Sequence, residues 1–227
     1  MTWKITPSLY SAWHFYAKPL FDRTDEQEQQ ARAEFIRALS KEQGEETDHI
    51  RRGVLFEQMI MQGVETGGVS LPDALDAKGK PLFNPEKHDR QCALHIAEMV
   101  RGGLFQVKDG KELPSGNYIY GVADCILLNG GGDFKYVSEY EMGKYQKSIQ
   151  HLAYMYIWNL PQFYYFIADG SPIPFIEPYM WGEGSLALLD SRIAEMIHWI
   201  NCDEELRNIF SQKWTYEKAK NEITFDV

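Results

Sequence analysis

The sequence predicts a single α/β domain over residues 1–227, with an N-terminal helical region and a C-terminal helical extension. Three observations lead to it. The chain has 227 residues, 44% of them hydrophobic, enough to bury a substantial core within the size range of one domain. Segments with apolar residues three and four apart alternate with segments of two-residue alternation, the pattern of helices laid on a sheet. NGGGD at 129–133 stands between two of the alternating runs and predicts a hairpin.

The formal net charge of −10 argues against a general polyanion-binding surface, so any DNA contact must be local. Cys92, Cys125 and Cys202 are far apart in apolar surroundings, which supports neither a disulfide framework nor a CxxC metal knuckle. No apolar run approaches the roughly 18 to 20 residues of a membrane span, and the N-terminus lacks signal-peptide order. The expectation is a cytoplasmic protein with no membrane partner.

Residues 5–22 predict a helix capped by Thr6 or Ser8, with Pro7 early and an aromatic face of Leu9, Trp13, Tyr16 and Leu20. Aromatic residues at helical spacing predict core here in preference to a base-stacking platform. Residues 23–50 are dense in charge, with Phe35, Ile36 and Leu39 as the apolar cluster, and predict a solvated helix. The next helix, 51–65, is strongly apolar and carries Glu57 in that company. Residues 66–85 are rich in Gly and Pro and predict a loop able to cover a cleft. A helix is predicted from Pro85 to Arg101, with structural roles for His88 and His95, and 104–107 is a short strand before a polar turn, KDGKELPSG.

In the strand that follows, Tyr118, Tyr120, Val122, Asp124, Ile126 and Leu128 share one face. With NGGGD as the turn, FKYVSEYE at 134–141 becomes the returning antiparallel strand, on which Lys135, Val137, Glu139 and Glu141 share a face. A helix is expected over 145–158, placing Gln150 and Tyr154 one turn apart, then a strand at 162–168. A Pro-rich loop, SPIPFIEP, leads to a helix at 184–199, and the tail from Asp203 has Leu206, Ile209, Phe210 and Trp214 at helical spacing. No internal repeat or low-complexity tract is present.

Asp124, Glu139 and Glu141 on one hairpin are costly unless a cation or shared proton compensates, because like charges raise each other's pKa. Oxygen ligands of this kind select Mg²⁺ or Mn²⁺, and such an ion can polarise a phosphate and activate a water. Hydrolysis of a phosphodiester is the reaction these residues predict; the bland alternative is a strand with surface-facing acids.

GVLFE (53–57), GVADCIL (121–127), VSEYEMGK (137–144) and QHLAY (150–154) occur on a helix, a strand, a strand and a helix. In that order they resemble the PD-(D/E)XK nucleases, and within them the RecB-like and phage-type exonucleases. The resemblance implies a restriction-endonuclease-like core, a central mixed sheet of about four strands flanked by helices in αβββαβ order. It implies metal ligation by Glu57, Asp124 and Glu139, and a QxxxY helix, Gln150 and Tyr154, near a DNA end. Arg51, Arg52, Arg90, Lys144 and Lys147 are candidates for phosphate contacts, with ordinary surface charge as the alternative.

In the family a Lys usually follows the third-motif acid by two residues and helps orient the attacking water. Here that position is Glu141. Either Glu141 serves as ligand or base, or Lys144 swings in from the same loop, or activity is lost; Lys135 lies on the carboxylate face but further from the motif. Some relatives hold an iron–sulfur cluster through four cysteines, whereas three unmatched ones here predict no iron–sulfur cluster. The resemblance implies a metal-dependent DNA exonuclease, acting on DNA ends in phage or bacterial recombination or repair. A single-strand annealing protein as partner and a homo-oligomer belong to the same implication. The alternative is a catalytically degenerate module that binds DNA ends or a protein partner.

Overall fold

Capping chemistry sets the N-terminal elements. In the computed structural model, which describes residues 2–18, 22–44, 46–84 and 88–216, β1 (Lys4–Ile5) leads into α1 (Pro7–Ala17), where the Thr6 hydroxyl accepts the Leu9 amide at 3.2 Å. Thr24 and Gln27 form a reciprocal capping box at the start of α2 (Asp25–Leu39), and Thr47 caps α3 (Asp48–Thr66), which Gly67 ends at φ 72. Then follow α4 (Asp89–Met99), β2 (Leu104–Glu112), β3 (Tyr118–Leu127), β4 (Gly130–Tyr136), α5 (Gln150–Trp158), β5 (Gln162–Ala168) and β6 (Phe175–Met180). The last elements are α6 (Ser185–Asn201) and α7 (Glu204–Trp214). Leu20 and the predicted helix start at Pro85 lie outside the described residues. Among the described residues no helix is long and apolar enough to cross a membrane.

The chain divides into two units. One comprises the described parts of 1–43, 110–120 and 190–227. Its core is aromatic: Trp13 and Phe35 are buried against Trp199, and Trp3 stacks on Phe210 with ring centres 4.4 Å apart. Asp203 caps α7 through the Leu206 amide, and the Trp214 indole donates to the Leu39 carbonyl at 2.6 Å, so the tail helix is held by a polar as well as an apolar contact. β1 pairs in parallel with the start of β3, Lys4 opposite Tyr118.

The other unit comprises the described parts of 44–109 and 121–189. β3 and β4 are antiparallel, β4 and β5 parallel, and β5 and β6 antiparallel, with β2 on β3. With β1 the mixed sheet has six strands, in the order β1-β3-β4-β5-β6 with β2 off that path, and helices flank it. Phe56, Met59 and Ile60 of α3 and Cys92, Ala93, Ile96 and Ala97 of α4 bury against Cys125 of β3 and Phe166 and Ala168 of β5. The short α5 is buried along most of its length and packs on β4 and β5.

About four strands are expected from the sequence, and six are present among the described residues. β1 has only two residues, too few for any period to register. β6 was hidden by its prolines: SPIPFIEP reads as loop, yet Pro178 sits on the outermost strand, where a missing N–H costs no ladder bond. The polar turn predicted after 107 is instead strand through Glu112, and α5 starts at Gln150 in place of 145.

The difference that matters is β4. It runs over Gly130–Tyr136, not 134–141, and Leu127 pairs with Gly130, so the turn is Leu128–Asn129 and the three glycines belong to the strand. They are there for close approach. A Cβ on Gly132 would lie 2.6 Å from the Phe166 ring and 2.8 Å from Cys125 Sγ, and one on Gly130 would lie 2.8 Å from the Gln162 carbonyl. Gly132→Ala should therefore lower stability by about 1–3 kcal/mol, the usual cost of overpacking a core. Urea unfolding tests this, and an unchanged midpoint would mean that the strand spacing is not set by glycine.

Candidate functional site

The β3–β4 register decides which acids meet. Cys125 pairs with Gly132, so Asp124 and Asp133 are the next residues on either strand. On β3 the odd-numbered residues 119 to 125 are buried and Asp124 is half-buried on the alternate positions. Its Oδ2 accepts the Phe134 amide at 2.8 Å, which fixes that oxygen and leaves Oδ1 directed elsewhere.

Asp133 is only 3% exposed, and two groups answer its charge. Lys135, two residues on along β4, places Nζ 2.6 Å from Asp133 Oδ2, and the Gln150 side-chain amide at the start of α5 donates to Oδ1. Glu57, half-buried on α3, and Asp124 are joined from the other side by Gln106 of β2: its amide nitrogen donates to Glu57 Oε1 and, at 3.4 Å, to Asp124 Oδ1. Glu57, Gln106 and Asp124 thus form one hydrogen-bonded set and Lys135, Asp133 and Gln150 another, and the charge of Asp133 acts across to Asp124 and Glu57.

Burial, and then the Asp133 charge, push the Asp124 carboxyl up to about 8, against the pull of the Phe134 N–H and Lys135. Burial and Asp133 likewise raise Glu57 above its ordinary value. Burial would lower Lys135, but the Asp133 charge and hydrogen bond, with Asp124 and Glu57, outweigh it and hold the ammonium charged. The acids of the cluster, Glu57, Asp124 and Asp133, offer carboxylate oxygens, the ligand chemistry of a hard divalent ion. As placed, no three His, Cys, Asp or Glu among the described residues are arranged to hold an ion. Between Glu57 and Asp124 lies the Gln106 amide.

The structure brings Glu57, Asp124 and Gln150 together and separates the other expected residues from them. Glu139, Glu141 and Lys144 do not lie on the returning strand: β4 stops at Tyr136, and all three are exposed in the segment before α5. The misplacement follows from taking the glycines as the turn, which moved every later residue of the strand away from its partner. Tyr154 is buried, with its ring against Gly121 and Gln150 and the Val122 backbone as polar neighbours. Arg51 binds Asp48 and the Leu75 carbonyl, Arg52 donates to the Leu82 carbonyl at 2.9 Å, and both thereby fasten the loop after α3. Arg90 and Lys147 are exposed.

Asp133, as a site acid, and Gln106 were missed. A signal for the first existed: Asp133–Phe134–Lys135 is an acid and a lysine two apart, on one face of any strand that includes them. Gln106 had none, because its position depends on a left-handed backbone, φ 51, inside β2.

No model of a known protein family matches the chain, and no curated protein sequence matches it. Among solved structures, the protein from Eubacterium rectale named Putative exonuclease superposes with a TM-score of 0.50 at 14% identity, covering 99% of this chain and 94% of that one. LHK-Exo, solved in complex with dAMP, superposes with a TM-score of 0.49 at 12% identity and 92% coverage of both chains. At such identity the likeness to the Eubacterium rectale protein is one of fold.

The raised carboxyl predicts a pH dependence. Unfolded aspartate titrates near 3.9, so the folded state holds the Asp124 proton more tightly than the unfolded chain does. That contribution to stability is full below about pH 4 and is lost as pH rises through about 8. In chelator, urea midpoints should fall from about pH 5 to about pH 8, and Asp124→Asn should flatten the slope. An equal slope in that variant would mean that Asp124 ionises normally.

Proposed function

We propose that the chain is a metal-dependent nuclease of the PD-(D/E)XK type, with Glu57, Asp124, Asp133 and Lys135 as its working residues. One observation carries this: Asp133 and Lys135, two apart on β4, stand in contact beside Asp124 and Glu57. In this reading Asp133 and Lys135 take the positions of the acid and of the lysine that usually follows it in the family, in place of Glu139 and Glu141. A restriction-endonuclease-like core is the finer description of the fold that this assignment favours. The Eubacterium rectale protein of the same fold bears the name of an exonuclease, the activity proposed here.

Glu57, Asp124 and Asp133 would hold the ion. A bound Mg²⁺ or Mn²⁺ supplies Lewis-acid polarisation of a phosphate and a lowered pKa for a coordinated water. The protein's own groups do the rest. Phe134 N–H pins one oxygen of Asp124 and leaves the other for ligation. Gln150 donates to the Asp133 carboxylate, so in this reading the glutamine of the QxxxY helix positions that acid. The Lys135 ammonium has three donors and stays charged, so it can orient a water and offset charge on a phosphate. DNA ends as substrate are carried over from the resemblance as part of this proposal, as are an annealing protein as partner and a homo-oligomer.

Linear and circular DNA incubated with Mg²⁺ or Mn²⁺ test this. Linear DNA should be degraded, and Asp124→Ala, Asp133→Ala or Lys135→Ala should each lower the rate by about 100-fold or more. Glu139→Ala and Glu141→Ala should stay within about threefold of the unmodified protein, as surface substitutions do. Metal-dependent cleavage that survives Asp133→Ala but not Glu139→Ala would transfer the site to the loop. No cleavage by the unmodified protein with either ion would refute the proposal.

A further inference from the structure

Gln106 is the one polar side chain in the cluster that the nuclease chemistry does not use. It is a neutral residue, yet it occupies the space between two carboxylates, donating to Glu57 Oε1 and lying 3.4 Å from Asp124 Oδ1. A primary amide has two N–H donors and no charge, so it can join two acids at once without the desolvation cost of an ammonium. Lys135, the cation of the cluster, is engaged by Asp133.

Two further features fit a residue that comes and goes. Gln106 holds φ 51, a left-handed conformation that a residue with a Cβ rarely adopts inside a strand, so its aim at the two acids is maintained against a backbone preference. It is also exposed, so the amide can turn into solvent by side-chain rotation alone, leaving the sheet pairing intact.

We propose that Gln106 is a cation placeholder. Its amide bridges Glu57 and Asp124 and holds the two side chains in place, and it must swing out before the two acids can close on a divalent ion. This rests on the metal-dependent reading of the site above. The consequence is a competition: Gln106 stabilises the bridged arrangement of the two acids and weakens ion binding by the same contact, since a ligand's apparent affinity falls with the fraction of protein in the competent state.

Mn²⁺ titration by calorimetry separates this from the reading it rests on. Unmodified protein should bind Mn²⁺ and Asp124→Ala should not. Gln106→Ala should bind roughly 3- to 10-fold more tightly, the range set by one lost hydrogen-bond competitor, while its melting temperature in chelator falls. Gln106→Asn, too short to span both acids yet tolerant of the left-handed backbone, should shift affinity the same way and serves if the alanine variant folds poorly. Equal or weaker binding by both Gln106 variants, with Asp124→Ala still inactive in binding, would overturn the placeholder and leave the metal site standing. If neither the unmodified protein nor the Gln106 variants bind Mn²⁺, the metal reading fails and the placeholder with it.

Discussion

A carboxylate that is 3% exposed cannot stay ionised alone, and the arrangement around Asp133 exists to meet that constraint. Lys135 lies 2.6 Å from one of its oxygens, and Gln150 donates to the other. Burial and then the charge of Asp133 raise Asp124 and Glu57, and the same charge keeps Lys135 protonated against burial. Breaking a buried pair on one side leaves an uncompensated charge, typically a loss of about 3–5 kcal/mol. The same ion pair therefore bears on both the stability of this unit and its proposed chemistry.

The backbone makes that pairing possible. Asp133 follows three glycines whose missing side chains let β4 approach β3 and β5, and the parallel pairing of Asp133 with Tyr165 anchors it in the sheet. Helix α3 contributes Glu57 from a turn whose neighbour Phe56 is buried against the ring of Tyr136, so the acid is presented by a packed element and not by a loop. α5 begins at Gln150, and its first side chain reaches Asp133 directly. Elements distant in sequence thus deliver rigidly held groups to one point.

Much of this was legible in the sequence, and the failures have physical causes. Strand β3 was readable because its alternation is clean from 119 to 125, and Asp124 stood out as an acid in an apolar row. Glu57 stood out for the same reason on a helix. The returning strand was misread because glycines signal either a turn or close packing, and only the three-dimensional neighbours of Gly132 decide which. That one ambiguity set Glu139 and Glu141 on the expected strand and left Asp133 in the turn, whereas β4 includes Asp133 and ends at Tyr136. Gln106 could not be foreseen, because a left-handed backbone inside a strand leaves no mark on residue type unless the residue is glycine or asparagine.

The most direct test of the central claim is diffraction from crystals soaked in Mn²⁺, recorded at the manganese absorption edge. The account predicts one anomalous peak bounded by Asp124 and Glu57 and near Asp133, with the Gln106 amide turned away from both acids. An ion held instead by Glu139 and Glu141, or a site at Asp124 that stays empty in protein that cleaves DNA with Mn²⁺, would contradict it.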